Sequence, residues 1–127
     1  MAEECNCQSG GKTILIYSCS GAANVAEVAD RACRQLASEG TVSMFCLAGL
    51  GADIPAMVQA ARDADLNVIL DGCQVDCAKR VFDRHGISNY KQIRVTDLGI
   101  DKQTGARSDE KQVAITVDKA RKAIEEG

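Results

Sequence analysis

The sequence predicts an α/β fold, built as one domain of three layers in which a parallel sheet of about four strands is covered by helices on both faces. Short apolar runs with β-branched residues alternate with longer segments whose apolar residues recur at helical spacing. The length of 127 residues suits one domain with its own core, and the sequence contains no internal repeat.

Four strands are predicted from apolar runs bounded by turn residues. They cover Thr13 to Ser18, Thr41 to Cys46, Asn67 to Leu70 and Lys91 to Val95. Because helical segments separate them, right-handed crossovers are expected, and the Rossmann/flavodoxin-like order two-one-three-four places strand one between strands two and three.

The segments between the strands predict the helices. The first helix has an apolar stripe formed by Val25, Val28, Ala29, Ala32, Cys33 and Leu36. The second is expected to begin with Asp53 as N-cap and Pro55 in its first turn. The third is expected to begin around Cys73 and to end at Gly86, and the last covers Asp109 to Glu126.

Composition and charge argue against nucleic acid as a partner. The formal net charge is −3 and the pI is near 5.1, which disfavours contact with a phosphate backbone. The chain has two Phe, two Tyr and no Trp, so it offers few aromatic side chains on which bases could stack.

The sequence also predicts the cellular location of the protein. No apolar run approaches the roughly 20 residues that cross a bilayer, so no membrane association is expected. Residues 1–12 are polar and lack the features of an export signal, so we expect a flexible tail, a folded domain over 13–127 and a cytoplasmic protein. In a reducing cytosol, the seven cysteines are expected to serve metal binding or redox chemistry.

Four cysteines are predicted to meet at one edge of the sheet. Cys19 follows strand one, Cys46 ends strand two and Cys73 follows strand three, and the carboxyl ends of parallel strands share one edge. Cys77 lies four residues after Cys73, a spacing that stacks two side chains on one face of a helix. Four thiolates suit a tetrahedral zinc site. We therefore predict zinc as the cofactor, held by Cys19, Cys46, Cys73 and Cys77.

The other candidate residues receive different predictions. Cys33 falls in the apolar stripe of the first helix and is expected in the core. Cys5 and Cys7, one residue apart in the tail, are left open between a soft-metal pair and no role. His85 lies at the end of the third helix and is given no catalytic role.

Three segments carry a resemblance to a known family. The segment Asp71-Gly-Cys-Gln-Val-Asp-Cys-Ala78 resembles the signature of the DGC-domain family, named for its Asp-Gly-Cys triplet and described as zinc-binding. Ser18-Cys-Ser-Gly21 and Cys46-Leu-Ala-Gly49 resemble the family's other cysteine segments, in the same order. The similarity covers Thr13 to about Ala123 and implies that 13–127 is a DGC-type metal-binding domain. It implies the same four cysteines as ligands but supplies no established activity.

The sequence leaves three hypotheses for function. The first is a zinc-binding protein, more a metal handler or sensor than an enzyme, because four thiolates leave no open position for water. The second is a thiol redox enzyme or transferase with Cys73 as nucleophile and Cys77 or Cys19 as the resolving thiol. The third is a small-molecule or anion binder that uses the segment Gly49 to Asp53 and the amides of the helices. The expected partner is a metal ion, and the sequence identifies no protein partner.

Overall fold

A computed structural model describes residues 12–126 of the chain. The predicted tail, including Cys5 and Cys7, lies outside the described residues except for Lys12. Of the helices in the described part, none has the length and hydrophobicity needed to cross a membrane.

The structure contains a four-stranded parallel sheet with the strand order β2-β1-β3-β4, as predicted. The strands are β1 Ile14–Ser18, β2 Ser43–Met44, β3 Leu66–Asp71 and β4 Tyr90–Arg94. The helices are α1 Asn24–Ser38, α2 Leu47–Gly51, α3 Pro55–Asp63, α4 Cys77–Arg84 and α5 Glu110–Glu126, and a 3-10 helix, Val95–Leu98, follows β4.

Alternation along the strands builds a core on each face of the sheet. Ile14 and Ile16 of β1 pack in the cluster that contains the buried faces of α1 and α5. Leu15 and Tyr17 pack on the opposite face, with residues of α2, α3 and α4. Successive side chains of a strand point to opposite faces, so β1 supports both clusters and the fold has the predicted three layers.

The second strand is shorter than predicted. Phe45 still pairs with β1 through a hydrogen bond from its backbone N to Ile16 O at 3.0 Å. Cys46 is then the residue that immediately precedes α2, a short helix that the sequence analysis did not predict. The end of the predicted strand is therefore a transition into α2, and β2 comprises only Ser43–Met44.

The second predicted helix begins later than expected. Asp53, the predicted N-cap, has a φ of 60°, and the residue that precedes α3 is Ile54. The Asp53 carboxylate contacts Arg84 Nη2 at 2.5 Å, so it joins this loop to α4. The prediction of Pro55 in the first turn is confirmed.

The third predicted helix also begins later, at Cys77. Cys73 lies in the preceding turn, which is closed by a hydrogen bond from Asp76 N to Cys73 O at 3.1 Å. The predicted stacking of Cys73 and Cys77 on one helical face is therefore wrong, and the helix terminus lies at Cys77. The predicted end is correct, since Gly86 follows the helix with a φ of 70°.

Candidate functional site

Three of the four predicted cysteines line one cavity at the carboxyl edge of the sheet. Cys19 follows β1, Cys73 follows β3 and Cys77 is the first residue of α4. They border a cavity of about 230 Å³. The rest of its lining comes from the β1–α1 loop, the first turn of α1, the β3–α4 turn and the loop after the 3-10 helix: Gly21, Ala22, Ala23, Val25, Ala26, Gly72, Val75, Lys102 and Thr104.

Cys46 occupies a different position. It is exposed and is not among the residues that line the cavity. Tyr17 packs against Phe45, the residue before Cys46, with ring centroids 6.3 Å apart. Burial raises the pKa of the Tyr17 phenol, and the negative charge of Cys46 adds to this rise. The Tyr17 hydroxyl is buried without a hydrogen-bond partner among the described residues. A site shared by all four cysteines stays a prediction.

None of the described cysteines forms a disulfide, so each of them carries a free thiol. Cys33, predicted for the core, is fully buried there, and burial raises the pKa of its thiol. Burial also raises the pKa of the Cys19 thiol, although the backbone N–H groups of Gly21 and Gly72 act in the opposite direction. The Gly72 N–H donates to Cys19 Sγ at 3.4 Å, so the β3–α4 connection contacts this sulfur directly.

The first residue of the Asp-Gly-Cys triplet anchors α4. Asp71 is 1% exposed, and its carboxylate accepts hydrogen bonds from Ala78 N at 2.7 Å and Lys79 N at 3.1 Å. These are first-turn amides that have no partner within the helix. The side chain of Gln92 donates to the same carboxylate at 2.9 Å. Asp71 thus fixes where α4 starts, and with it the position of Cys77.

The second residue of the triplet allows α1 to approach the sheet edge. A Cβ atom on Gly72 would lie 3.0 Å from Ala26 N, 3.0 Å from Val25 Cγ2 and 3.1 Å from Val25 C. Real Cβ atoms rarely come so close to backbone. The absence of a side chain at Gly72 therefore lets the first turn of α1 form a wall of the cavity, next to Cys73.

An ion pair fixes the turn between Cys73 and Cys77. Asp76 has left-handed backbone angles, φ 58° and ψ 47°, which cost energy for a residue other than glycine. Its carboxylate accepts hydrogen bonds from Arg94 at 2.9 and 2.8 Å and from Gln92 at 2.8 Å. The hydrogen bonds from Arg94 are the main reason that the pKa of Asp76 is lowered. The end of β4 therefore holds the turn that carries both thiols.

A long loop supplies the last wall of the cavity. Lys102 Nζ lies 3.5 Å from Cys73 Sγ. The loop is attached to α1 by Asn24, which donates to Asp101 O at 2.9 Å and accepts from Gln103 N at 2.6 Å. Glu27 of α1 also binds Arg107 and Ser108, and hydrogen bonds from these residues lower the pKa of Glu27 to about 2.

Sequence reasoning missed the basic residues of the site. Arg94 ends β4, so the rule that placed the cysteines at the carboxyl edge of the sheet applies to it as well. Lys102 lies in a loop without periodicity, and no sequence signal connects it with Cys73. His85 contacts Leu50 O through Nε2 at 2.7 Å, at the end of α4 opposite Cys77.

The segment Gly49 to Asp53 has a structural explanation. A Cβ atom on Gly49 would lie 2.8 Å from Met57 Cε and 2.9 Å from Met57 Cγ. Gly49 is therefore small because α2 and α3 pack closely at this point. Gly49 therefore gives no support to the hypothesis of an anion site in this segment.

The cysteine side chains are the right kind of ligand for a soft metal, but they are not arranged around a common point. Thiolate sulfur is a preferred ligand of zinc and other soft metals. Within residues 12–126, however, no group of three or more His, Cys, Asp or Glu side chains is already arranged to hold a metal ion. Coordination by the cavity thiols therefore requires them to move closer together.

Comparisons with known proteins identify the family of the chain. The family model of the DGC domain matches residues 15–120. The chain is also 34% identical over 91 residues to the anaerobic and virulence modulator AnvM of Pseudomonas aeruginosa, a stretch that covers 72% of this chain and 70% of AnvM. No solved structure matches the chain significantly. The match over most of the domain confirms the resemblance seen in the cysteine segments, and the chain belongs to the DGC-domain family.

Proposed function

We propose that the protein binds a soft metal ion, with zinc as the first candidate, through the thiolates of Cys19, Cys73 and Cys77. One observation carries the proposal: thiols from two separate parts of the chain, Cys19 after β1 and the pair Cys73 and Cys77 after β3, line the same small cavity. Cys46, at the end of the neighbouring strand, is proposed as the fourth ligand, which would complete the tetrahedral set.

The structure offers a route by which the thiols can approach one another. Cys73 and Cys77 flank the turn that the Asp76–Arg94 ion pair holds, so we infer that their sulfurs approach one another by rotation of the two side chains and not by a shift of the turn. Cys46 is exposed, and rotation of its side chain does not disturb the core. The Tyr17 hydroxyl, which is buried and has no hydrogen-bond partner within residues 12–126, is a suitable donor to a Cys46 sulfur that turns inward.

A handling or sensing role fits better than a structural role. The sheet has an aliphatic core on each face, so the domain has no evident need for a metal in order to fold. The relative in Pseudomonas aeruginosa is named an anaerobic and virulence modulator. A thiolate site that gains or loses a metal ion would suit a modulating role for this protein as well. Such a site fits anaerobic conditions, because thiolates are oxidised least in the absence of oxygen.

The test is metal analysis of protein purified without oxygen and without an affinity tag. We expect about one zinc per chain and thiols that become titratable only after a strong chelator is added. Serine substitutions at Cys19, Cys73 and Cys77 should each weaken zinc binding at least about tenfold in competition with a chromophoric chelator, since each removes a ligand.

Two further variants make this test decisive. Cys33→Ala is the matched control, because it removes a buried core thiol and should leave zinc affinity unchanged. A loss of affinity in Cys46→Ser would make it the fourth ligand, and unchanged affinity would limit the site to three thiols. Wild-type protein that holds no metal above background, with all thiols reactive from the start, would refute the proposal.

A second candidate function is a thiol enzyme in which Cys73 is the nucleophile. The observation that favours it is the ammonium group of Lys102, 3.5 Å from Cys73 Sγ, because a nearby cation stabilises the reactive thiolate. This function predicts that Cys73 is alkylated faster than Cys77 in metal-free protein. Equal rates for both residues, mapped by fragment-ion mass spectrometry, would remove the case for a special role of Cys73.

A further inference from the structure

The size of the cysteine cavity limits what it can accept besides a metal ion. Its volume is about 230 Å³, smaller than the range of about 300–1,000 Å³ that is typical of pockets for drug-sized ligands. A water molecule takes about 30 Å³ of liquid volume, so the space suits a molecule of only a few heavy atoms. Three alanines, Ala22 and Ala23 before α1 and Ala26 in its first turn, give the cavity an apolar wall without side-chain hydrogen-bonding groups.

The charged side chains that line the cavity favour a ligand with a negative charge. Among the described residues that line it, Lys102 alone has a formal positive charge, and none of them is Asp or Glu. The nearby carboxylate of Asp71 is already used by the amides of α4 and by Gln92. Within residues 12–126, no carboxylate forms an ion pair with Lys102. The ammonium group is therefore available to an anionic ligand.

The position of Lys102 is fixed by the fold. The adjacent residues Asp101 and Gln103 are both hydrogen-bonded through their backbone to the side chain of Asn24. Asn24 is 4% exposed. Thr104 adds an antiparallel bridge to Ala23. These contacts on both sides of Lys102 hold its backbone beside the cavity, from where its side chain reaches Cys73 Sγ.

From these observations we propose that the cavity binds a small carboxylate-bearing disulfide, with Lys102 binding the carboxylate while Cys73 Sγ faces the sulfur. This inference rests on the second candidate function, in which Cys73 is the nucleophile, and it applies to the metal-free protein, because a thiolate bound to zinc is not free to attack. Attack by the Cys73 thiolate forms a new S–S bond to one sulfur of the disulfide. The original S–S bond breaks, and its other half leaves as a thiolate, so the disulfide is reduced while Cys73 is oxidised to a mixed disulfide.

The test compares two alkylating probes that differ in charge, iodoacetate and iodoacetamide, on metal-free protein. The rate of modification of Cys73 is measured with each probe, and the ratio of the two rates reports charge selection separately from the reactivity of the thiol. Lys102→Gln should lower the iodoacetate-to-iodoacetamide ratio about fivefold, the value expected for one charge contact in water. Lys119→Gln removes an exposed lysine of α5 and is the matched control.

A second pair of probes tests the disulfide chemistry directly. Wild-type protein should form a mixed disulfide at Cys73 faster with (methyldisulfanyl)acetate than with 2-(methyldisulfanyl)ethanol, which has a hydroxyl group in place of the carboxylate, and Lys102→Gln should abolish this preference. Equal rate ratios in wild type and Lys102→Gln with both pairs of probes would overturn the inference. Zinc affinity is measured on the same preparations, so a failure of metal binding refutes the proposed function alone and leaves the probe ratios to decide this inference.

Discussion

Replacement of Asp71 by alanine tests whether the first residue of the Asp-Gly-Cys triplet is an anchor for α4. The Asp71 carboxylate is buried and accepts three hydrogen bonds, two of them from the first turn of the helix. Its removal leaves these donors without their partner. The substitution removes no group from the lining of the cysteine cavity, so its primary effect should be on stability.

The size of the effect follows from the exposure of each donor. Ala78 is fully buried, and an unsatisfied buried amide costs about 1–3 kcal/mol. The amide of Lys79 is closer to solvent and can bind water. The lost attraction between a carboxylate and a helix N-terminus adds about 0.3–1 kcal/mol. We therefore expect Asp71→Ala to lower the free energy of unfolding by about 2–4 kcal/mol, which lowers Tm by about 10 °C in a domain of this size.

The assay is urea and thermal unfolding followed by circular dichroism, with Asp118→Ala as control. Asp118 has a side chain that is 72% exposed and a single ion pair at 3.5 Å, so its loss should change stability by less than about 0.5 kcal/mol. Asp71→Asn keeps one acceptor oxygen and should lie between wild type and Asp71→Ala. An Asp71→Ala protein as stable as the Asp118→Ala control would refute the anchoring role.

Two further predictions concern the same edge of the sheet. Gly72→Ala should lower the free energy of unfolding by about 1–3 kcal/mol, measured in urea, because the added methyl group collides with the backbone of α1; Gly51→Ala, where a Cβ meets nothing within 4 Å, should not. Arg94→Met should destabilise the protein more at pH 7 than at pH 3. The lowered pKa of Asp76 means that its ion pair stabilises the fold above about pH 4 and is lost as acid protonates the carboxylate. An equal change in urea midpoint at both pH values would contradict this origin.

The alternation of strands with helices was sufficient to predict the order of the strands, because right-handed crossovers in a three-layer α/β fold allow few topologies. The starts of two helices were not predictable in the same way. Asp76 adopts a left-handed conformation under the influence of Arg94, 18 residues away. Asp53 bonds to Arg84 rather than to its own helix. In both places a distant side chain decides the local structure, and no local pattern reports it.

The carboxyl ends of parallel strands share one edge of the sheet, so the sequence predicts at which edge the cysteines lie. It does not predict on which face of the sheet each cysteine lies. Cys19, Cys46 and Cys73 all lie at the predicted edge. The cavity, however, has α1 as a wall, whereas Cys46 leads into α2, which packs on the opposite face. This explains why three predicted thiols share a cavity and Cys46 does not line it.

The Asp-Gly-Cys triplet connects the two walls of the cavity. Asp71 positions α4, which begins with Cys77, and Gly72 sets the distance to α1, while Cys73 faces the space between them. A change at Asp71 or Gly72 should therefore alter the rates at which Cys73 and Cys77 react, although neither residue carries a thiol. If the rates stayed constant while stability fell, the triplet would serve the fold alone, and the contiguity of its three residues would have no bearing on the thiol site.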